Sequence, residues 1–341
     1  MPDARLKSYG HQAVRHLAAA GSVMVARQAT AGAHAGHVTP WPGAADPDFH
    51  ATLAAVWIWA RHQRLSGVEK FTAARLHAWG FLVEAAARFV PDAIDSSSDD
   101  EAAYDCAMVL WALTAEHALG KVDQRRQAIA DRAARVLSMH LGALEDLSGR
   151  EFRDPGFLAL ALIEYARVLD DRGLLASGRK FVERAFGMKA PPPFADEPAP
   201  AGGLFDFSST TATRILAVIA AEGNTPFVGA WLRERIAAGI PRDFRPRRLD
   251  ENSWNACAAW ALGRAYVIAT DPGFLEAYTT IVDEIERRDA DHDGALGRDK
   301  TVRVAEVMPT FYYALAVDAL VTAEGAGQGR AEMGGAGALG R

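Results

Sequence analysis

The sequence predicts an all-α protein, a ring of about twelve helices in an inner and an outer layer, that is, an α/α toroid. Three observations predict it: one pattern recurs six times, amphipathic and all-apolar helices alternate, and no two-residue strand period appears. Taking Asp48, Asp99, Asp154, Asp206, Asp250 and Glu306 as markers of the pattern, the intervals are 51, 55, 52, 44 and 56 residues. A near-constant period of that size marks repetition of one supersecondary unit, here a helical hairpin. Each unit reads as a Gly- or Pro-containing loop, an acidic residue, then a small-and-apolar run of about five turns.

Taken in order, residues 5–26 form the first outer helix, and DPDFHATLAAVWIWARH from Asp46 the first inner one. Phe71, Ala74, Ala78, Phe81, Leu82, Ala85 and Phe89 recur at three- and four-residue spacing, the mark of a helix with one solvated face. SDDEAAYDCAMVLWALTAEHALG from Ser98 is apolar nearly all round, as expected of a helix packed on every side. The next outer helix carries Ile129, Ala133, Val136, Leu137 and Leu141 on one side and Arg125, Arg126, Asp131 and Arg132 on the other. RDPGFLALALIEYARVL from Arg153, FDFSSTTATRILAVIAAEG from Phe205, DENSWNACAAWALGRAYVIAT from Asp250 and RVAEVMPTFYYALAVDALVTAE from Arg303 complete the inner set. A closed ring needs no polar capping repeats at open ends, which an α-solenoid, the alternative arrangement, requires. One domain therefore spans residues 1–324. KAPPPFADEPAPAGG, residues 189–203, reads as a Pro-rich crossover over one end of the ring, and residues 325–341 as a disordered Gly/Ala-rich tail.

Composition narrows the function. The 341 residues include 37 basic and 43 acidic side chains, a net charge of −6. That balance argues against non-specific binding to nucleic acid or an anionic membrane. Cys106 and Cys257 cannot make a disulfide framework or a Cys-rich zinc site and read as small core residues. No apolar run approaches a membrane span. The opening MPDARLKSYGHQ lacks the apolar core of a secretory signal, so a cytoplasmic protein is expected. HExxH, phosphate-loop and GxSxG motifs are absent, and His34 and His37, in one Gly/Ala loop, read as solvated.

In an α/α ring the starts of the inner helices meet at one rim. That rim gathers Asp46, Asp48, His50, Asp99, Asp100, Glu101, Asp154, Asp206, Asp250, Glu251, Asn252 and Glu306. Acidic residues there cap helices and favour the helix dipole. The surplus in SDDE and DEN goes beyond capping. Close carboxylates raise one another's pKa, and one protonated beside one ionised is what acid/base catalysis needs. The candidate catalytic residues are therefore Asp99, Asp100, Asp250 and Glu251, with Glu306 in reserve. Aromatics cluster nearby, and Trp41, Trp254 and Tyr312, with Asp48, His50, Asp206 and Asn252, are the candidate substrate-binding residues. Trp57, Trp59, Trp111 and Trp260, mid-helix, read as core. The sequence specifies no cofactor, and calcium is its one candidate. DADHDGALGRDK, from Asp289 to Lys300, matches the first half of a calcium loop through Asp289, Asp291 and Asp293, but Lys300 stands where a bidentate Glu closes such a site.

The unit TDPGFLEAYTTIVDEIERRDADHDGALG followed by AEVMPTFYYALAVDAL resembles the hairpins of six-hairpin glycosidase-like enzymes, in which outer helix, acidic Gly-bearing loop and inner helix recur. It is similar also to the repeats of terpenoid cyclases and protein prenyltransferase β subunits. The likeness spans roughly residues 5–324. Against the class II terpenoid cyclases, DSSSDD at 95–100 is not their D-x-D-D acid motif; against prenyltransferases, no Asp, Cys and His fall in the order of their zinc ligands. The resemblance thus implies a carbohydrate hydrolase, lyase or epimerase acting on a small-molecule or oligosaccharide substrate. The alternatives are an isoprenoid-handling enzyme and a non-catalytic protein-binding ring. Oligomeric state is left open by the sequence.

Overall fold

The computed structural model describes residues 4–44, 46–94, 100–120, 122–144, 155–186, 209–223, 228–230, 232, 252–289, 294–297 and 306–321. Among them the protein is all-helical. The outer helices are α1 (Ala4–Ala26), α3 (Thr72–Phe89), α5 (Gln124–Ala143), α7 (Arg172–Phe186) and α10 (Pro272–Arg288). The inner ones are α2 (Phe49–Ser66), α4 (Asp100–His117), α6 (Pro155–Val168), α8 (Ser209–Glu222), α9 (Asn252–Ala269) and α11 (Val307–Asp318). Both the 189–203 crossover and the 325–341 tail lie outside the described residues.

Local chemistry sets the helix ends. Asp48 caps α2 by accepting from the Ala51 amide at 2.8 Å, and α2 ends at Gly67 with φ 70. Asp123 caps α5 through the Arg126 amide at 2.9 Å. Asp271 caps α10, whose first residue is Pro272, where a missing N–H costs nothing. The expected outer–inner contrast holds: residues 51–60 of α2 are buried without a break, whereas α5 buries Ile129, Ala133, Val136, Leu137 and Leu141 and leaves Arg125 and Asp131 exposed.

Neighbour contacts between inner helices form a closed circuit. α2 packs on α4, α4 on α6, α6 on α8, α8 on α9, α9 on α11, and α11 returns to α2. The outer helices cover the seams: α1 lies across α2 and α11, α3 and α5 against α4, and α7 against α6 and α8. The Trp59 indole N–H donates to the Gly21 carbonyl at 2.9 Å and fastens α2 to α1. Gln12 and Tyr9 on α1 bond Glu286 and Thr279 on α10, which joins the first outer helix to the last described one.

Two interhelical loops repeat one clasp. The Thr52 hydroxyl accepts from the Val38 amide at 3.0 Å and donates to the Asp48 carbonyl at 2.8 Å. The Thr310 hydroxyl accepts from the Leu296 amide at 2.9 Å and donates to the Glu306 carbonyl at 2.7 Å. Each clasped loop turns at a glycine of positive φ, Gly36 at 98° and Gly294 at 77°. A Cβ on Gly36 would lie 2.3 Å from the His77 carbonyl oxygen on α3, and one on Gly294 would lie 2.6 Å from Ala19 on α1. Each loop thus presses on the outer helix that comes next around the circuit.

Candidate functional site

Contacts between α4 and α11, α6 and α11, α4 and α9, and α6 and α9, pairs that are not neighbours in the circuit, mark its interior. The Tyr104 hydroxyl on α4 meets that of Tyr312 on α11 at 2.6 Å. Phe157 on α6 stacks on Tyr104 with ring centroids 5.3 Å apart and meets Tyr312 edge-on at 6.2 Å. Deeper in, Trp111 on α4 reaches Trp260 on α9 at 5.5 Å, and Trp57 on α2 meets Phe311 on α11 at 5.5 Å. Such edge-to-face pairs suit the aromatic quadrupole and give the interior an aromatic middle layer. At the far end Arg264 on α9 bridges to Glu164 on α6 at 3.2 Å, and Arg61 on α2 pairs with Asp318 on α11 at 2.6 Å.

At the near end, by the starts of α2 and α4, lies a His–Asp pair. His50 Nε2 stands 2.6 Å from Asp105 Oδ1, and the imidazole packs edge-on against Tyr104 with centroids 4.8 Å apart. Both partners are largely withdrawn from water. Burial works against charge on His50, but the Asp105 carboxylate, with Asp48 and Glu101 beyond it, outweighs burial and raises the His50 pKa above its ordinary value. The Asp105 pKa is raised too, first by burial and then by Glu101 and Asp48, although His50 opposes the rise. Burial lifts the Tyr104 phenol well above its usual range, so it stays a neutral donor and acceptor. A proton-holding imidazole, a carboxylate that orients it and two linked phenols can together give and receive protons at a bound hydroxyl.

The residues expected at this rim fall into three groups. His50, Asp48 and Tyr312 converge here, although Asp48 spends one oxygen on its cap. Trp41 is 49% exposed, and its neighbour Pro40 accepts from the Val307 amide at 3.0 Å, which holds the backbone beside Trp41 to the start of α11. Glu306 sits at the N-cap of α11 without a side-chain cap bond, and its amide donates to the Leu296 carbonyl at 2.8 Å. Asn252 is used structurally: its Nδ2 donates to the Gly297 carbonyl and its Oδ1 accepts from Arg288, both at 2.8 Å. Asp99, Asp206, Asp250, Glu251, Asp291 and Asp293 lie outside the described residues, as do the side chains of Asp100 and Trp254 at the starts of α4 and α9.

The Asp289 carboxylate accepts from the Gly294 amide at 3.0 Å, so it holds its own turn. No group of three or more His, Cys, Asp or Glu side chains able to hold a metal occurs among the described residues. His37 differs from expectation: it is buried, packs on Phe81 at 5.8 Å and binds the His34 carbonyl through Nδ1. Asp105 and Tyr104 were not anticipated. The available signal was a single acid inside the otherwise apolar run AAYDCAMVLW. No helix among the described residues is long and apolar enough to cross a membrane. No protein-family model, curated protein or solved structure matches the chain.

Proposed function

We propose that the chain is an α/α toroid of the six-hairpin glycosidase-like kind, and that it is a carbohydrate-active enzyme working by acid/base catalysis at the near end of its inner helices. The closed circuit of inner-helix contacts and the contacts across it support the toroid. The observation that carries the activity is the secluded His50–Asp105 pair among carboxylates and phenols. His50, held protonated by Asp105, is the proton donor to the leaving oxygen of a glycosidic bond. Glu101, or one of Asp99, Asp100, Asp250 and Glu251, which the sequence assigns to the same rim, supplies the carboxylate that activates water or attacks carbon. Trp41 and Tyr312 receive the apolar faces of the sugar rings. Aromatics beneath a layer of acids suit a polyhydroxylated ring, with C–H faces for one and hydroxyls for the other.

The test is turnover of a panel of neutral and uronic oligosaccharides by the wild type and by His50→Gln and Asp105→Asn. A positioned proton donor contributes about 10²–10⁴-fold, so each variant loses a factor in that range. Undiminished turnover in both variants, or no turnover of any oligosaccharide by the wild type, overturns the reading. A second reading, a non-catalytic binding ring, draws on Asp48 acting as a cap and on Asn252 being engaged at both ends. It is selected if His50→Gln changes stability while no sugar or prenyl diphosphate is turned over.

A further inference from the structure

Trp111 carries a polar group that the proton chemistry above does not use. It lies two turns, about 10 Å, below Tyr104 on the same face of α4. Its ring crosses the interior to Trp260 at 5.5 Å and borders Phe157 at 6.1 Å. Although only 7% exposed, it has no hydrogen-bond partner for its indole N–H. An indole nitrogen can only donate, and a buried donor left unpaired is destabilising because it has lost its water without gaining an acceptor. Trp59, on the opposite side of the inner layer, uses the same group structurally, on the Gly21 carbonyl. Trp79, also unpaired, sits on an outer helix under the Arg126 guanidinium, away from the interior. Among the described residues, Trp111 is the unpaired indole that projects between non-neighbouring inner helices.

We propose that Trp111 is the positioning residue at the floor of the site, its N–H donating to a hydroxyl or ring oxygen of a neutral sugar whose C–H face lies against Phe157 and Trp260. This rests on the carbohydrate reading and narrows it. An occupant of this layer must bring an acceptor for the N–H and an apolar face for the rings. A quaternary ammonium has the face but no acceptor. A phosphate or carboxylate has acceptors but must pass Asp48, Asp105 and Glu101 at the near end. A neutral polyol ring has both and carries no charge to oppose them.

The experiment titrates the full-length chain with D-glucose, cellobiose, choline and inorganic phosphate. It reads calorimetric affinity and the indole N–H resonances of the eight tryptophans, with Trp111 assigned by its absence in Trp111→Phe. Glucose or cellobiose shifts the Trp111 resonance, and choline and phosphate leave it in place. Trp111→Phe, which keeps an aromatic ring on Phe157 and Trp260, weakens sugar binding about tenfold, the equivalent of one hydrogen bond. Equal sugar affinity in the two proteins overturns the assignment, as does a Trp111 resonance unmoved by either sugar. If Trp111→Phe does not fold, the Trp111 resonance is assigned in the wild type by its nuclear Overhauser contacts to Trp260 and Phe157, and its response to the sugars decides alone. Sugar binding that needs Trp111, with turnover unchanged in His50→Gln, upholds the floor donor and removes the acid/base assignment. Turnover lost in His50→Gln with Trp111 silent does the reverse.

Discussion

His16 makes the packing of α1 on α11 dependent on pH. It lies on α1 with its imidazole edge-on to Tyr313 of α11 at 4.5 Å, where the first helix of the chain meets the last inner one. Burial pushes its pKa down from 6.5 to about 4, against a smaller opposing effect from the Thr310 backbone. As pH falls through 6.5 the unfolded chain takes up a proton that the folded chain refuses, so stability drops. The drop levels off only below about 4, where the folded imidazole charges as well. At 1.36 kcal/mol per pKa unit the full loss is about 3 kcal/mol, and about 2 kcal/mol of it falls between pH 7 and pH 5. His16→Leu has similar bulk and does not titrate. Urea unfolding of the two proteins at pH 7 and pH 5 isolates this residue, because every other titrating group cancels in the difference. The stability gap should move in favour of His16→Leu by about 2 kcal/mol on going to pH 5. Parallel behaviour of the two proteins would refute the reasoning, since it would mean the imidazole is as free to charge in the fold as out of it.

Other expectations concern the near end, the loops and the outer wall. If His50 is the proton donor, kcat/KM falls as pH rises through its raised pKa, and Asp105→Asn, which leaves burial to dominate, moves that alkaline limb to lower pH. A limb unmoved in Asp105→Asn would separate the two residues. Gly32→Ala, with φ 89 but open space around it, should cost about 1 kcal/mol in thermal or urea unfolding. Gly36→Ala and Gly294→Ala, which add a clash with α3 or α1, should each cost about 1–3 kcal/mol more. Glu116 is buried between Arg75 and Arg126, its Oε2 2.8 Å from Arg126 Nη1; Arg126 also pairs with Asp123, so Glu116→Ala leaves the buried Arg75 without a carboxylate and should destabilise by about 3 kcal/mol in urea unfolding. A loss below 1 kcal/mol would show that the pair is solvated.

The helices were legible because a 3.6-residue stripe needs nothing beyond the chain to reveal it. The same cannot hold for the inner helices, and this limited the reading of the site. A helix apolar all round carries no phase, so its sequence does not say which side faces the interior. Trp57 and Trp59 read alike, yet Trp57 packs across on Phe311 while Trp59 bonds outward to α1. Asp105 and Tyr104 lie inside such a run, where little in the sequence sets them apart from core, whereas the acids before it stand out as a surplus over capping. Asn252 misled in the other direction: its place in DEN suggested a ligand to substrate, but its amide clasps a loop to α10. Capping, by contrast, is local chemistry, and Asp48 fulfilled it while also standing near the pair that could use its charge.

The two threonine clasps show that the repeat is a matter of how the loops pack on the helices and not only of sequence. Val38 and Thr52 are fourteen residues apart, as are Leu296 and Thr310, although the intervening residues share almost nothing. What recurs is a geometric need. Each of these two loops gives an amide to the first turn of the helix it precedes and comes close enough to the following outer helix that only glycine fits. For the Gly36 loop that helix is α3, the next along the chain; for the Gly294 loop it is α1, the first. The last loop treats the beginning of the chain as its successor. An open array gives its final loop no such neighbour, so the contact of Gly294 with Ala19 and Ala20 is the local counterpart of the contact between α11 and α2. If closure sets the spacing of the near-end groups, Gly294→Ala should disturb the Tyr104–Tyr312 hydroxyl contact as well as stability. The hydroxyl resonances of those two phenols would register it, and their indifference to the substitution would show that the loop fastens α1 without shaping the site.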